Sequence, residues 1–187
     1  MSGKRLFTGQ GDDGSTGLLG EGRILKSDLR IEALGSLDET TAALGFARSL
    51  TTDDHIARLV LRIQRELYQF MSEIAATPEN AERFRSITAE QVQWLEQQVE
   101  AWSEKIELPR EFIVPGDTPA GGAFSLARAI CRRAERRVVE LNEREKLTNP
   151  YLLPYLNRLS SLCFVLELFE VQKGGNKRPT LARRKAP

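Results

Sequence analysis

The stretch IARLVLRIQRELYQFMSEI, residues 56–74, decides the fold class of this chain. Its apolar residues recur at spacings of three and four, which places them on one face of an α-helix. These residues are Ile56, Leu59, Val60, Ile63, Leu67, Phe70, Met71 and Ile74. A helix with one apolar face needs other elements to cover that face, so the stretch predicts packing against further helices.

Four more helices are predicted around this stretch. Two begin at capping boxes, Ser36 with Glu39 and Thr88 with Gln91, in which each side chain satisfies a free amide of the other residue. A third begins near Pro119, since proline suits a first helical position. The predicted helices cover about residues 36–49, 56–74, 88–102, 119–142 and 151–169. No useful period-two alternation appears, and the fold predicted is all-α, a five-helix bundle of four long helices and one shorter one.

Composition and charge restrict the class of protein. The 187 residues suit one domain, and the net charge of +1 gives no field directed at nucleic acid or a membrane surface. No stretch approaches the roughly 18 apolar residues of a membrane span. Two cysteines in apolar stretches make a disulfide framework improbable, and with no signal peptide in view the sequence favours the cytoplasm. We predict a glycine-rich N-terminal loop (1–30), a helix bundle (31–172) and a basic disordered tail (173–187).

The first candidate binding segment is TGQGDDGSTG, residues 8–17. Its glycines leave backbone amides free to converge on an anion, and its hydroxyl groups add donors. It is not a Walker A loop, because no Gly-Lys-Ser/Thr follows. A flexible terminal segment would have much the same composition, so both interpretations stay open. Lys26, just beyond the loop, would bring a positive charge to phosphates or would simply be solvated.

The second candidate is an arginine-rich helix segment, ARAICRRAERR, residues 127–137. At 100° per residue, four of its charged residues fall within an arc of about 100°. We call this set the arginine face: Arg128, Arg132, Glu135 and Arg136. This face would suit a triphosphate and its Mg²⁺, with the arginines binding phosphate oxygens and Glu135 binding the metal. The alternative is a solvated face whose charged residues pair with one another. The opposite, apolar face is predicted from Leu126, Ile130, Ala134 and Val138.

Taken in order, the segments resemble the PduO-type ATP:cob(I)alamin adenosyltransferases over about residues 5–170. That family has a glycine loop, then a lysine, a Gly-Thr-x-Asp-Glu helix start, a Phe-x-x-Pro-Gly link, an Arg-Arg-Ala-Glu-Arg-Arg helix and an Asn-Arg-Leu-Ser helix. The matching segments are Thr8–Thr16, Lys26, Gly35–Glu39, Phe112–Gly116, Arg128–Arg137 and Asn157–Ser160.

The resemblance implies a homotrimer that binds ATP between adjacent subunits, with Mg²⁺ near Glu135. It implies loop-side ATP contacts from Thr8, Gly9, Gln10, Gly11, Thr16, Gly17 and Lys26. It implies contacts from the neighbouring bundle by Arg132, Glu135, Arg136 and Asn157. Asp38 and Arg128 match a pair that forms a salt bridge across the subunit interface. Phe112 matches an aromatic residue that packs under the corrin of cobalamin and displaces its lower axial ligand.

The function implied is transfer of the adenosyl group of ATP to cob(I)alamin, with Arg132 and Phe112 as the catalytic residues and a cob(II)alamin reductase as a further partner. The chain has one histidine, and this chemistry needs no general base, since the enzyme holds the reactants in line. Gly9 replaces a basic residue of the family pattern, and Asp117 a small uncharged one. Both favour an alternative, a catalytically weak carrier or regulator of the same fold. A helix-bundle module that binds an acidic partner is a third interpretation.

Overall fold

The protein is described by a computed structural model, which covers residues 8–173 and 178–183. In these residues a two-stranded hairpin precedes five α-helices, and a short 3-10 helix, Pro78–Asn80, separates the second helix from the third. The elements are β1 (Ser15–Gly17), β2 (Arg23–Leu25), α1 (Leu29–Leu50), α2 (Asp54–Ala75), α3 (Ala89–Ser103), α4 (Pro119–Glu145) and α5 (Leu152–Lys173). Four long helices and a shorter one, α3, confirm the predicted five-helix bundle.

The first helix begins about two turns earlier than predicted. Its N-cap is Asp28, whose carboxylate accepts a hydrogen bond from the Arg30 amide at 2.8 Å. Ser36 is buried inside the helix, so the prediction of a capping box at Ser36 was wrong. A Ser and a Glu three residues apart also face the same way within a helix, and the local pattern does not separate the two cases. The Thr88–Gln91 box is present as predicted.

The helices pack around α4. It lies against α1 and α5, while α2 covers α1 and α3 covers α5. The core face of α4 includes Ala127, Cys131, Ala134 and Val138, whereas Leu126, predicted to be part of it, is exposed. The predicted face was therefore rotated from the true one. By length and composition α5 would be able to cross a membrane, but most of that stretch is buried against the other helices, as in a core helix of a bundle.

The glycine segment forms the β1–β2 hairpin, which the sequence did not predict. Ser15 pairs with Leu25 and Gly17 with Arg23. The hairpin is attached to the end of α2, where the Leu19 amide donates to the Ala75 carbonyl at 2.8 Å. A β-carbon at Gly20 would lie 2.3 Å from Thr77 Oγ1, so this close approach requires glycine.

The C-terminal tail is also ordered in part. Residues 178–183 lie along the link between α3 and α4, and Leu181 forms an antiparallel bridge with Ile113. The prediction of a disordered tail is wrong for these six residues, because backbone pairing with the link replaces hydrogen bonds to water. Residues 174–177 and 184–187 of the predicted tail lie outside the described part of the chain.

A buried arginine links three helices at the end of the bundle to which the hairpin is attached, and its loss is expected to destabilise the fold. Arg30 is 7% exposed; it donates to the carbonyls of Ile74 and Ala76 at the end of α2 and pairs with Glu145 at the end of α4. Replacing Arg30 with methionine leaves these acceptors without their donor, so we expect a loss of about 3 kcal/mol in the free energy of unfolding, measured in urea. The matched variant Arg144→Met, exposed in the last turn of α4, should lose less than about 0.5 kcal/mol. Equal losses would contradict the role given to Arg30.

Candidate functional site

A cavity of about 680 Å³ opens beside the link that joins α3 to α4. It is lined by residues of that link, of α4 and of α5, among them Phe112, Arg128, Arg132, Ser160 and Phe164. Phe112 is 90% exposed. A fully exposed phenylalanine at the edge of a cavity costs solvation free energy unless a ligand or partner covers it. The structure thus brings Phe112, Arg128 and Arg132, predicted from separate motifs, to one cavity.

Arg128 lines this cavity and is half-buried. Its Nε is buried and has no hydrogen-bond partner within the described residues, and its guanidinium carbon lies 5.9 Å from the centre of the Phe164 ring. A buried donor without an acceptor is costly, so an acceptor from outside the chain would stabilise it. Asp38, its predicted partner, lies elsewhere, on a separate concave surface formed with α2 residues such as Arg65 and Tyr68. One chain therefore does not bring Asp38 and Arg128 together.

Glu135 and Asn157 meet where α4 packs against α5. Asn157 Nδ2 donates to Glu135 Oε1 at 3.1 Å, and Asn157 Oδ1 accepts from Arg158 at 2.8 Å. Arg132 and Arg136 are exposed on the same side of α4 as Glu135. This arrangement places two guanidinium groups and a carboxylate beside an amide, a combination of groups that suits a phosphate chain and a cation.

Ion pairing on α4 bears on whether the arginine face is merely a solvated surface. Within the part of the chain that is described, the arginines of α4 that form salt bridges are Arg133, with Glu39, and Arg137, with Glu140. Both lie outside the arginine face. Arg128, Arg132 and Arg136 take part in none of these pairs, which favours an anion site over a face of internal ion pairs.

The hairpin positions the other predicted residues. Lys26 Nζ donates to the Gly11 carbonyl at 2.7 Å, and a β-carbon at Gly11 would lie 3.0 Å from that nitrogen. Thr8 Oγ1 accepts from the Gln10 amide at 3.4 Å. Gly9 has φ +75°, a left-handed conformation that lysine or arginine would adopt only with strain. Glycine at position 9, which departs from the family pattern, is thus what this turn requires.

The predicted site falls into two halves in one chain. The hairpin is attached near the Arg30–Glu145 pair, and Glu145 lies ten residues, or about 15 Å, along α4 from Glu135. No hydrogen bond or ion pair joins the two halves among residues 8–173 and 178–183. One half holds Thr8, Gly9, Gln10, Gly11, Thr16, Gly17 and Lys26, and the other Phe112, Arg128, Arg132, Glu135, Arg136 and Asn157.

Sequence reasoning missed the contribution of α5 to the cavity. Ser160, Ser161 and Phe164 line it beside Arg128 and Arg132. Together with Asn157 they recur at spacings of three and four, the signal that would have placed them on one helix face. The contact that Asp117 makes was also not predicted. Thr118 caps α4, and Asp117 binds Thr180.

Several known proteins are similar to this chain in sequence. The family model described as cobalamin adenosyltransferase matches residues 6–170. The corrinoid adenosyltransferase of Bacillus subtilis is 37% identical over 165 residues, covering 86% of this chain and 83% of that protein. The corrinoid adenosyltransferase PduO of Salmonella typhimurium is 35% identical over 162 residues, which cover 86% of this chain. The chain spans about half the length of that PduO protein, the match covering 48% of it.

Solved structures are similar over almost the whole chain. A variant of a PduO-type ATP:corrinoid adenosyltransferase from Lactobacillus reuteri, complexed with cobalamin and ATP, matches with a TM-score of 0.88 and 29% identity. The match covers 96% of this chain and 100% of that one. A second variant of the Lactobacillus reuteri enzyme, complexed with ATP, matches with a TM-score of 0.86 and 28% identity over 95% of this chain and 100% of that one.

Proposed function

The chain belongs to the cobalamin adenosyltransferase family, and on that premise we propose that it transfers the 5′-deoxyadenosyl group of ATP to cob(I)alamin, forming adenosylcobalamin and triphosphate. The observation that carries the proposal is the cavity at which the exposed Phe112 meets Arg128 and Arg132. It lies in a fold that matches a transferase complexed with cobalamin and ATP.

The arginine face and Phe112 have separate tasks in this reaction. The cobalt of cob(I)alamin supplies an electron pair to the 5′-carbon of ATP, a cobalt–carbon bond forms, and the carbon–oxygen bond breaks. The bonding pair leaves with the triphosphate, whose charge Arg132 and Arg136 neutralise. Phe112 packs under the corrin of cob(II)alamin, displaces the lower ligand and so makes the cobalt easier to reduce. No proton moves in the transfer, which is consistent with a site of arginines and amides.

The ATP site is formed between two copies of the chain in a homotrimer. The hairpin of one subunit would close over a triphosphate bound on the arginine face of the next. Three features support this arrangement: the separation of the two halves in one chain, the buried Arg128 Nε without a partner among the described residues, and the position of Asp38 on another surface. Asp38 of a neighbouring subunit would supply the acceptor that Arg128 lacks.

Glu135 would hold the Mg²⁺ that accompanies ATP. Among the described residues there is no group of three or more His, Cys, Asp or Glu side chains fit to bind a metal by themselves. Mg²⁺ is commonly bound by one or two carboxylates together with substrate phosphates, and one carboxylate oriented by Asn157 fits that mode. The ion would neutralise phosphate charge, while Arg132 and Arg136 orient the chain of phosphates.

The structure weakens the case for a catalytically weak carrier. Gly9 is explained by its positive φ and Asp117 by its contact with Thr180, so neither departure requires a loss of turnover. We place the enzyme in the cytoplasm with a cob(II)alamin reductase as partner. Its two cysteines support a reducing compartment, since both are buried as free thiols. Burial raises the pKa of Cys163 to about 12, which keeps that thiol protonated and unreactive.

One anaerobic assay tests the proposed function. The protein is incubated with ATP, Mg²⁺, cobalamin and a strong reductant, and the absorption spectrum is followed. We expect the spectrum of adenosylcobalamin to appear, together with one triphosphate for each product formed. Binding of both ligands without a spectral change would support the carrier, and binding of neither would contradict both functions.

A further inference from the structure

The link that carries Phe112 is attached to the C-terminal part of the chain at both ends. This link, residues 104–118, joins α3 to α4. Near its start, the Glu107 amide donates to Gln172 Oε1 at 3.0 Å, and Gln172 Nε2 donates back to the Glu107 carbonyl at 2.9 Å. At its far end, Asp117 accepts two hydrogen bonds from Thr180, one from the amide at 2.8 Å and one from the hydroxyl at 2.7 Å. We call Asp117 and Thr180 the clasp.

Between these two points the link pairs with the C-terminal segment as a short antiparallel ladder. The Val114 amide donates to the Thr180 carbonyl, and the Ala182 amide donates to the Phe112 carbonyl, both at 2.8 Å. Thr180 therefore belongs to both the ladder and the clasp. Because Asp117 holds the Thr180 backbone and side chain at once, it fixes the register of the residues that pair with Phe112.

Phe112 depends on its backbone for its position. With 90% of its surface exposed, its side chain has few packing contacts that would hold it over the cavity. The ladder holds its carbonyl, and the clasp holds the ladder. Misplacing a bound reactant by about 1 Å can lower a rate by roughly a hundredfold, so the register of this link matters for any step in which Phe112 positions the substrate.

We propose that Asp117 and Thr180 are positioning residues that hold the Phe112 link in register over the cobalamin cavity. The inference rests on the proposed function and assigns neither residue a contact with substrate. It also explains why an aspartate stands at position 117. The carboxylate offers two acceptor oxygens to the two donors of Thr180, which a small uncharged residue would not do.

The test compares Asp117→Ala with Asp117→Asn in the full-length chain. Alanine removes both acceptors, whereas asparagine removes the charge and retains an oxygen for the Thr180 amide and an amide group for its hydroxyl. Turnover is measured from cob(II)alamin with reductant and, separately, from pre-reduced cob(I)alamin. For Asp117→Ala we expect a loss of about tenfold from cob(II)alamin, a loss below about twofold from cob(I)alamin, and an unchanged KM for ATP. Asp117→Asn should retain most of the activity, and Glu143→Ala, an exposed acid near the end of α4, all of it.

Two further measurements separate positioning from general damage to the fold. Added to Phe112→Ala, the Asp117→Ala change should lower the rate no further, because the clasp acts through Phe112. Hydrogen exchange at the Val114 and Ala182 amides should quicken in Asp117→Ala and not in Glu143→Ala. Equal losses from both cobalt states, additive losses in the double variant, or unchanged exchange would each overturn the proposal. A wild-type protein without turnover would refute the proposed function, and exchange at these two amides would still decide whether the clasp holds the link.

Discussion

Replacing Arg132 with alanine is expected to lower the rate of adenosylcobalamin formation by about a thousandfold. Arg132 is exposed on the arginine face, lines the cavity beside Phe112 and forms none of the salt bridges of the described chain. Its guanidinium is therefore free to bind phosphate oxygens. Charge accumulates on the triphosphate as the carbon–oxygen bond breaks, so the interaction is stronger in the transition state than in bound ATP. The measurement is kcat with pre-reduced cobalamin, and kcat should fall more than the KM for ATP rises.

The neighbouring arginine provides the matched control. Arg133 pairs with Glu39 of α1 and lies outside the arginine face. Arg133→Ala removes the same charge from the same helix, and its rate should stay within about twofold of wild type, since an exposed ion pair contributes little. If Arg132→Ala behaves like Arg133→Ala, the arginine face does not bind the triphosphate.

A mixing experiment extends this prediction to the shared site. Lys26→Ala impairs the hairpin half and Arg132→Ala the other half, so trimers of either variant alone contain no intact site. In mixed trimers of equal proportions, about a quarter of the interfaces pair an intact hairpin with an intact arginine face. Co-expressed variants should therefore recover about a quarter of the wild-type rate, and recovery of none would contradict an ATP site between subunits.

The sequence predicted those elements whose signal is local. The apolar spacing of α2, the capping box of α3 and Pro119 of α4 each lie within the element that they predict. The predicted start of α1 was wrong because Ser36 and Glu39 have the spacing of a capping box but lie inside a helix whose N-cap is Asp28. The order of residues 178–183 and of the hairpin was not predicted, for a different reason. Their order comes from partners far along the chain, Ile113 for Leu181 and Ala75 for Leu19, which no local pattern encodes.

The site was predictable to the extent that helices determine it. Arg128, Arg132 and Glu135 lie on one side of α4 because helical geometry fixes their directions, and this followed from their spacing alone. Their meeting with Phe112 followed from the order of the motifs in the resemblance and not from any pattern within the link. The clasp was not predictable from residue spacing, because it joins a side chain of the link to a residue 63 positions later in the chain.

Replacing Phe112 with alanine is expected to lower the rate from cob(II)alamin much more than the rate from cob(I)alamin. From cob(II)alamin and reductant we expect a loss of at least about a hundredfold, because the group that displaces the lower axial ligand is gone. From pre-reduced cob(I)alamin the loss should be far smaller, since attack on ATP then needs only the arginine face. The measurement is the ratio of the two rates, which also cancels differences in protein quality between preparations.

An exposed aliphatic residue on α4 provides the control for this ratio. Leu126 is 51% exposed and Phe112 is 90% exposed, so neither substitution opens a core cavity. Leu126→Ala should leave the ratio of the two rates unchanged. Equal losses from both cobalt states in Phe112→Ala would show that Phe112 binds the corrin without altering its cobalt. A loss confined to cob(II)alamin would identify Phe112 as the residue that makes reduction possible, and the clasp would then act on the same step.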